Sequence, residues 1–331
     1  MSGYYGFGNV GDEALLEGLL GGLIRAGHEP VVLSNDPKET VELHGVAARH
    51  RFYGVPAALI ECQALISGGG GLLQDKTSLR SLRYYLSIVR YAKALGKRVV
   101  VYGQSIGPLS PAGKQLLAAA LAGVPIAVRD EQSQELLAGL RIPSELVADP
   151  ALLLQAPEPS GEGRGPVLLV PRAGHPELTQ ALASLATHLY SHDCAVEVLT
   201  FHPREDTEEY RRLSRSVPEL LLRQARDHRE VLRLISSASV VVSARLHGLI
   251  LATVAHTPSV GLVYDPKVTG YLTACEGVGF EPPVDPSLLL AAVEGCRAVD
   301  EAVRQRLLER AAAGVSWLDR TLRGQTATIG G

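Results

Sequence analysis

The stretch Ser239–Lys267, SVVVSARLHGLILATVAHTPSVGLVYDPK, decides the fold class. Its β-branched run Ser239–Val242 predicts a strand, the apolar segment Leu246–Ala255 predicts a helix, and Ser259–Val263 predicts a second strand. Two strands joined through a helix form a βαβ unit, in which the strands run parallel. The stretch therefore predicts an α/β protein built on parallel sheets.

The same alternation extends through the rest of the chain and predicts further βαβ units. The other predicted strands are Pro30–Ser34, Ala64–Ser67, Arg98–Tyr102, Ile126–Arg129, Val167–Val170, Ala195–Thr200 and Leu220–Leu222. The other predicted helices are Asp12–Ala26, Leu79–Leu95, Pro111–Ala122, Glu131–Leu140, Glu177–Ser191, Asp206–Ser214, Arg229–Ser236, Pro286–Cys296 and Glu301–Leu322.

The length of 331 residues suits two domains of about 150 residues each. Residues 155–166, QAPEPSGEGRGP, are rich in Pro and Gly and lack apolar periodicity, which is typical of a linker. We predict an N-terminal Rossmann-like domain at residues 1–155, a linker at 156–166, a C-terminal Rossmann-like domain at 167–300, and a helix at 301–331 that packs back across the interface. We expect the two domains to face a cleft, with ligands beyond the carboxyl ends of the strands.

Composition and charge argue against several classes of protein. The net charge is −3 and no long block of Lys or Arg occurs, so we do not expect nucleic-acid binding. The most apolar region, Ala238–Val263, contains Arg245 and is a poor membrane span. No signal peptide is recognised, and the four cysteines lie far apart, as is typical of reduced thiols: Cys62, Cys194, Cys275 and Cys296. We expect a soluble, cytoplasmic protein.

A glycine-rich stretch, Gly3–Glu13 (GYYGFGNVGDE), opens the first helix. Its spacing misses GxGxxG, and Asp12 and Glu13 in the first helical turn would repel a phosphate. We therefore favour sugar-hydroxyl binding by Asn9, Asp12 and Glu13, with helix capping by the two acids as the alternative. The strand that should precede this stretch has almost no residues, so it is either a stub or the chain starts late.

Two further motifs follow predicted strands. Ile66–Asp75 (ISGGGGLLQD) contains four consecutive glycines, which favours close approach of the backbone to a ligand over a purely structural turn. No Lys-Ser/Thr pair follows at P-loop spacing. Tyr102–Pro108 (YGQSIGP) ends a neighbouring strand. Both motifs are expected to face one cleft, and we predict that Gly69, Gly70 and Gln104 contribute to binding there.

Four basic side chains are placed at predicted carboxyl ends of strands: Arg129, Arg245, His247 and Lys267. Each alone could be a solvated charge or a local ion pair with Asp130 or Asp265. Together they favour an anionic substrate, because guanidinium groups bind phosphate and carboxylate bidentately. Arg172 is a weaker fifth candidate. No DxD, HxH or HExxH motif occurs, so we expect no metal and no cofactor.

Six motifs occur in the order in which they are found in one family: GYYGFGNVGDEALL, ISGGGGLLQD, GQSIGPL, AVRDEQS, SARLHGLILA and YDPKV. Over residues 3–270 the chain thereby resembles the polysaccharide pyruvyl transferase family, and it is most similar to the CsaB type, which acts on secondary cell-wall polysaccharide.

This resemblance implies a glycosyltransferase-B-like fold and transfer of pyruvate from phosphoenolpyruvate to a sugar as a cyclic ketal. For the CsaB type it implies a lipid-linked acceptor containing N-acetylmannosamine and a link to S-layer anchoring. The N-terminal domain would then hold the acceptor and the C-terminal domain the donor. The donor-binding residues carried over are Arg245, His247, Lys267 and Arg129. Pro171–Gly174 departs from the family's pattern, which blurs any role for Arg172.

On this reading His247 protonates the methylene carbon of the donor, and Asp12 or Glu13 acts as base on the acceptor. Two alternatives stay open: a nucleotide-sugar glycosyltransferase on the same fold, and a non-enzymatic saccharide-binding or scaffold protein. The last helix carries Arg304, Arg306, Arg310 and Arg320, so a peripheral contact with the inner face of the cell membrane is a further alternative. The sequence leaves the oligomeric state open.

Overall fold

The structure is a computed structural model that describes residues 1–76, 78–158 and 165–325. The chain divides into two compact units. Unit 1 contains Met1–Phe7, Leu15–Leu153 and the residues from Leu308 onward, and unit 2 contains Gly8–Ala14 and Leu154–Leu307. The division at 153/154 lies beside the predicted domain boundary, but residues 8–14 and the end of the terminal helix are grouped differently from the prediction. The predicted linker at 156–166 falls largely on residues 159–164, which lie outside the described residues.

Unit 1 alternates short strands and helices. Its strands are β1 (Val31–Ser34), β2 (Ala47–His50), β3 (Ala64–Leu73), β4 (Arg98–Ile106), β5 (Ile126–Val128) and β6 (Glu145–Leu146). Its helices are α1 (Val10–Arg25, of which unit 1 holds Leu15–Arg25), α2 (Pro37–His44), α3 (Val55–Glu61), α4 (Leu79–Ala94), α5 (Pro111–Leu121), α6 (Glu131–Gly139) and a 3₁₀ turn (Pro150–Leu153). The long helix α13 (Glu301–Leu322) ends in this unit.

Before the glycine-rich stretch, Ser2 takes the strand position in this sequence, and we call this residue the stub. Ser2 forms parallel bridges with both Leu33 and Ser67, and its N–H donates to the carbonyl of Ile66 at 2.9 Å. The stub therefore lies between β1 and β3, and all pairs in this unit are parallel, in the order β2-β1-stub-β3-β4-β5-β6. This is the doubly wound arrangement, with one additional strand at its edge.

Alternate residues of the unit 1 strands enter two cores. Leu65, Val99 and Val101 pack with α4 and α5 on one face, and Ile66, Val100 and Tyr102 pack with α1 and α13 on the other. This follows from the two-residue period of a strand, which points successive side chains to opposite faces. Because both faces are covered by helices, the central strands β3 and β4 are buried over most of their length.

Unit 2 contains six parallel strands: β7 (Val167–Val170), β8 (Val196–Thr200), β9 (Leu221–Gln224), β10 (Val240–Ser243), β11 (Ser259–Leu262) and β12 (Val278–Phe280). The helices are α7 (Pro176–Ser191), α8 (Pro203–Ser216), α9 (His228–Ser236), α10 (Leu246–Ala255), α11 (Pro266–Ala274), α12 (Pro286–Gly295) and the first part of α13. The sheet order is β12-β11-β10-β7-β8-β9, which is the Rossmann order with its switch between β7 and β10.

Helix α10 is central to unit 2. It buries eight of its ten residues, which matches a sequence that is apolar on all sides instead of on one stripe. Among the described helices, none is long and apolar enough to cross a bilayer.

The structure corrects several predicted boundaries. Strand β3 continues through the four glycines to Leu73, where the prediction ended at Ser67, because Gly70 and Leu73 pair with β4. Strand β4 likewise continues to Ile106. The prediction also missed the 3₁₀ turn and six other elements: α2, β2, α3, β6, α11 and β12. These are short, and the strands among them are at most half-buried, so their sequences carry little apolar periodicity.

Candidate active site

The switch point of unit 2 separates the loop after β7 from the loop after β10. Connections from β7 and β10 leave toward opposite sides at this point, which opens a crevice at the carboxyl ends of the two strands. Arg172 follows β7, and Arg245 and His247 follow β10. Topology alone therefore places these three side chains at the position where doubly wound sheets bind ligands.

Arg245 is the residue at which α10 begins. Its backbone is extended (φ −121°, ψ 131°), and Ser243 Oγ accepts from its N–H at 3.0 Å and donates to its carbonyl at 2.8 Å. A methyl group at Gly248 would lie 2.2 Å from that Oγ, so glycine is required for this bend. The bend fixes the backbone of Arg245 before its side chain makes any contact.

The Arg245 side chain is buried, with 5% of the residue exposed. Its Nε donates to the carbonyl of Pro171 at 3.2 Å, and its Nη2 forms a short contact with Asp206 Oδ1. The second carboxylate oxygen of Asp206 accepts from the N–H groups of Phe201 (3.0 Å) and His202 (2.9 Å). Asp206 thus joins the loop after β8 to the loop after β10 and holds one side of the guanidinium.

Sequence reasoning missed Asp206, which it treated only as the start of a helix. The helix begins earlier, at Pro203, so Asp206 lies within its first turn and is completely buried. A fully buried acid in the first turn after a strand was the only available signal, and burial is not visible in a single sequence.

His247 contacts the start of α1. A methyl group on Gly11 would lie 2.4 Å from Nδ1 of His247 and 2.7 Å from its Cγ. Residues around Gly11 are themselves fixed within unit 2, because Asn9 Oδ1 accepts from Gly11 N–H (3.1 Å) and Val10 N–H donates to the carbonyl of Phe201 (2.9 Å). The absence of a side chain at Gly11 is what makes room for the imidazole.

Lys267 and Arg172 flank one aromatic ring. Lys267 Nζ lies 5.6 Å from the ring centroid of Tyr264 and Arg172 Cζ lies 4.5 Å from it, which are cation–π distances. The ring of His175 is 4.9 Å from the same centroid. Asp265 begins α11 by accepting from the N–H of Lys267 at 3.2 Å. Tyr264 and His175 were not foreseen from the sequence.

These contacts give unit 2 a cationic carboxyl edge. Arg172, Arg245 and Lys267 come from the loops after β7, β10 and β11, and the positive end of the α10 dipole adds to them. Asp206 neutralises part of this charge. The remaining charge suits a small ligand with more than one anionic group, bound near the imidazole of His247.

Arg129, the fourth predicted basic residue, lies in unit 1. Its Nε donates to Ser105 Oγ at 2.9 Å and its Nη1 contacts Asp149 Oδ2 at 2.5 Å, with only 5% and 3% of the two side chains exposed. Its partner is thus Asp149 and not Asp130, which instead begins α6 by accepting from Ser133 N–H. Donor binding by Arg129 stays a prediction.

The carboxylate of Asp149 also affects a buried phenol. Burial, and then the negative charge of Asp149, raise the pKa of Tyr102 far above its ordinary value. The hydroxyl of Tyr102 has no hydrogen-bond partner among the residues that the structure describes. Tyr102 is therefore a neutral core residue, which agrees with its stacking at 6.5 Å on Trp317.

Three residues predicted to bind the acceptor, Gly69, Gly70 and Gln104, lie in unit 1, where the contacts observed for Gly69 and Gln104 stabilise the fold. Gly69 and Gly70 have positive φ angles (67° and 83°), and a methyl group on Gly69 would lie 2.1 Å from Leu15 Cδ2. Gln104 is completely buried and donates from Nε2 to the carbonyl (3.1 Å) and Oγ (3.0 Å) of Ser67. Packing thus explains Gly69 and strand pairing explains Gln104, and their role in acceptor binding stays a prediction.

Asn9, Asp12 and Glu13 belong to unit 2, beside the stretch that contacts His247. Asp12 and Glu13 lie in the first turn of α1, and Glu13 is 7% exposed. The predicted acceptor set is therefore divided: these three residues lie in unit 2, and Gly69, Gly70 and Gln104 lie in unit 1.

A groove of about 970 Å³ occurs elsewhere in unit 1. Its walls include Arg98, Ile126 and Glu145, which are the first residues of β4, β5 and β6. It thus lies at the amino ends of the strands, away from the edge at which such sheets bind ligands. Over the described ranges, no group of three His, Cys, Asp or Glu side chains is arranged to hold a metal ion.

Known structures with the same fold include a putative UDP-N-acetylglucosamine 2-epimerase from Listeria monocytogenes (11% identity, TM-score 0.64, 98% of this chain and 97% of that chain). Sucrose-phosphate synthase from Thermosynechococcus elongatus is similar (12%, 0.63, 98% of both chains). A glycosyltransferase from Rickettsia africae is also similar (10%, 0.57, 95% and 92%). These similarities confirm a glycosyltransferase-B-like fold of two Rossmann-like domains.

No curated protein sequence matches this chain. The family model described as polysaccharide pyruvyl transferase matches residues 9–266, which include both the Asn9–Glu13 stretch and the Arg245–His247 loop. The chain therefore belongs to the polysaccharide pyruvyl transferase family.

Proposed function

We propose that this protein transfers pyruvate from phosphoenolpyruvate to two hydroxyl groups of a saccharide, forming a cyclic ketal and releasing phosphate. The observation that carries the proposal is the arrangement at the unit 2 switch point. There Asp206 fixes the buried Arg245, and Gly11 packs against the imidazole of His247. A fixed cation two residues from a histidine suits a reaction that needs both anion binding and proton transfer.

Phosphoenolpyruvate carries a phosphate and a carboxylate on one carbon framework. Two anionic groups need several positive partners, and Arg245, Lys267 and Arg172 all lie in loops at one edge of unit 2. Sequence similarity adds Arg129 to this proposed donor set. Guanidinium groups bind such oxyanions through paired hydrogen bonds, while the lysine supplies a compact charge.

In the proposed first step His247 gives a proton to C3, the methylene carbon of the donor. Carbon C2 becomes oxocarbenium-like, and one sugar hydroxyl forms a C–O bond to it while Asp12 or Glu13 accepts the hydroxyl proton. The C2–O bond to phosphate then breaks, phosphate leaves, and the second hydroxyl closes the ketal and loses its proton. Arg245 and Lys267 stabilise the anionic groups throughout.

The proposed acceptor is a lipid-linked cell-wall polysaccharide precursor that contains N-acetylmannosamine. Similarity to the CsaB type supports this acceptor, a role in S-layer anchoring, and a position at the inner face of the cell membrane. The proposed chemistry uses no metal and no cofactor, since its positive charges all come from side chains.

The reaction can be tested by measuring phosphate release from phosphoenolpyruvate with and without an N-acetylmannosamine-containing disaccharide. We expect acceptor-dependent release and a product heavier by one pyruvate ketal. Replacing His247→Gln should lower kcat by about 10²–10⁴-fold, since general acid catalysis contributes about that much. The exposed His188→Gln should change kcat less than twofold.

Two results would count against the proposal. Near-normal turnover in His247→Gln would leave His247 a binding residue only. If phosphate release were absent with several acceptors, while the protein transferred a sugar from a nucleotide sugar, the chain would instead be a glycosyltransferase on this fold.

A further inference from the structure

An aromatic cluster surrounds Arg51 at the carboxyl edge of the unit 1 sheet. We call it the aromatic platform and define it as Tyr4, Phe7, Arg51, Phe52, Tyr53 and Tyr84. No predicted site includes it, and the proposed chemistry does not use it.

Three rings hold the Arg51 guanidinium. Its Cζ lies 4.9 Å from the ring centroid of Phe7, 4.6 Å from that of Phe52 and 4.6 Å from that of Tyr84, all within cation–π range. The hydroxyl of Tyr84 donates to the carbonyl of Arg51 at 2.7 Å, which fixes the backbone as well. In the part of the chain that the structure describes, no carboxylate forms an ion pair with Arg51, so its charge is not neutralised by an acid.

Stacking and hydrogen bonds hold the aromatic platform in place. Tyr4 and Phe7 stack at 4.1 Å with nearly parallel rings. His50 Nδ1 accepts from the N–H groups of Phe52 (3.3 Å) and Tyr53 (3.5 Å), and its ring stacks on Tyr53 at 4.8 Å. These contacts hold the loop after β2 in one conformation, so the rings are presented by a fixed backbone.

Despite this bracing the outer rings face solvent. Phe52 is 53% exposed and Tyr53 is 87% exposed. Exposed aromatic rings grouped around an arginine are unusual on a protein surface, and such patches commonly mark sites of ligand binding. Because Phe52 and Tyr53 bury little, packing in the core does not explain these two rings.

The platform also lies where unit 1 is expected to bind ligands. Tyr4 and Phe7 come from the loop after the stub, which is the strand beside the switch to β3. Residues 51–53 follow β2, and Tyr84 lies on α4, which follows β3. The platform is thus built from loops and a helix at the carboxyl ends of parallel strands.

We propose that the aromatic platform is a subsite for the acceptor saccharide; the identity of this ligand rests on the proposed function. The C–H groups of a pyranose face carry partial positive charge and pack against the negative face of an aromatic ring, so Phe52 and Tyr53 bind one sugar ring by stacking. Arg51 then donates hydrogen bonds to oxygen atoms of the same saccharide, and its charge favours an acceptor with an anionic substituent.

The test measures saccharide binding directly, by saturation-transfer NMR with an N-acetylmannosamine-containing disaccharide. In the double variant Phe52→Ala/Tyr53→Ala we expect the Kd for this disaccharide to rise at least tenfold. The KM for the acceptor should rise equally, with kcat and the KM for phosphoenolpyruvate within twofold of wild type. Tyr91→Ala, an exposed ring on the same helix as Tyr84 and 38% exposed, is the matched control and should change nothing.

Arg51→Lys and Arg51→Gln separate charge from shape. Both substitutions should weaken disaccharide binding. For an acceptor that carries a phosphate or carboxylate, Arg51→Gln should weaken binding more than Arg51→Lys, because lysine keeps the positive charge. Circular dichroism and thermal melting check that each variant is folded. Unchanged Kd and acceptor KM in the folded double variant would overturn the proposal.

Two other outcomes also overturn it. A change in sedimentation of the double variant with unchanged saccharide binding would assign the platform to an interface between copies of this chain. Loss of uridine diphosphate binding instead of disaccharide binding would assign it to a nucleobase. The NMR measurement of disaccharide binding does not require turnover. Absence of pyruvyl transfer would therefore refute the proposed reaction, whereas the Kd for the disaccharide would still decide whether the platform binds a saccharide.

Discussion

The carboxyl edges of the two sheets carry different kinds of side chain. In unit 2 this edge presents Arg245, His247 and Lys267, and the arginine is fixed by a buried acid. In unit 1 it presents glycine-rich backbone and exposed rings such as Phe52 and Tyr53. The strand order is the same doubly wound one in both units, apart from the additional edge strand of unit 1.

The comparison teaches that topology decides where a ligand binds and the loops decide which ligand. Under the proposed function, the cationic edge with its imidazole suits a small, multiply charged donor. The aromatic edge suits a sugar, which offers hydroxyl groups and C–H faces. The cationic side chains of unit 2 and the exposed rings of unit 1 lie beyond the ends of the strands, so they do not alter strand pairing in either sheet.

One feature is shared by both units. Each contains a buried arginine–aspartate pair just after a strand: Arg245 with Asp206, and Arg129 with Asp149. In each pair the aspartate also accepts from backbone N–H groups, which come from Phe201 and His202 in unit 2 and from Ala151 in unit 1. The two pairs differ in their surroundings, because Arg245 lies two residues from His247 at the unit 2 switch point and Arg129 lies in unit 1. We therefore expect different effects when each pair is changed.

The largest effect is expected from Arg245→Met. It removes the cation that we propose binds the donor, and it leaves Asp206 as an uncompensated buried charge, so kcat/KM for phosphoenolpyruvate should fall about 10³-fold. The free energy of unfolding should fall by about 3–5 kcal/mol, which is typical when one partner of a buried pair is removed. Steady-state kinetics and urea unfolding measure the two changes.

Adding Asp206→Asn to Arg245→Met separates the two effects. The amide oxygen can still accept from the backbone N–H groups while the stranded charge is gone, so stability should recover but activity should not. Arg223→Met is the control, because Arg223 forms a surface pair with Glu197 and is 46% exposed. Recovery of activity in the double variant would show that Arg245 serves stability alone.

A smaller effect is expected from Gly11→Ala. The new methyl group would lie 2.4 Å from Nδ1 of His247, so the imidazole must move. We expect kcat to fall about 10–100-fold, with the KM for phosphoenolpyruvate within threefold of wild type. Gly21→Ala, later in the same helix, meets only the movable end of Arg25 at 3.3 Å and should leave kinetics unchanged. If Gly11→Ala and Gly21→Ala were equally active, the position of the His247 imidazole would not matter for catalysis.

The smallest effect is expected from the paired change Arg129→Met with Asp149→Asn. It removes both charges of the unit 1 pair, so stability should change by less than about 2 kcal/mol. If Arg129 binds the donor, as its sequence position predicts, the KM for phosphoenolpyruvate should rise about tenfold with kcat within threefold. An unchanged KM for phosphoenolpyruvate would show that the Arg129–Asp149 pair only stabilises the fold, in contrast to the role proposed for Arg245.

Much of the fold could be predicted from apolar patterns. The strand at Val167–Val170 and the helices Leu246–Ala255 and Glu301–Leu322 are observed with the predicted bounds. The strand β3 was predicted too short, since glycine is depleted in strands and the run of four was interpreted as a ligand-binding segment that follows the strand. Its glycines are held in the strand by pairing with β4 and by packing against α1, which are both long-range contacts.

The site could be predicted in part. A basic residue at the end of an apolar strand is visible in the sequence, so Arg245, His247 and Lys267 were predicted as site residues, and all three follow strands of unit 2. Asp206 and Tyr264 were missed, because nothing in their local sequence shows that they contact those residues. The alternative of a local ion pair named the adjacent Asp130 for Arg129, whereas the structure pairs Arg129 with Asp149, twenty residues away.

The sequence by itself determined the α/β class, the approximate number of domains, the position of most helices and strands, and the family. These properties depend on local periodicity and on motifs that are contiguous in the chain. Only the tertiary structure decided that Gly11 packs against His247, that Asp206 holds Arg245, and that rings from three separate segments surround Arg51. Apart from Arg51 with Phe52, those contacts join residues that are tens to hundreds of positions apart, and their energies depend on burial, which exists only once the chain has folded.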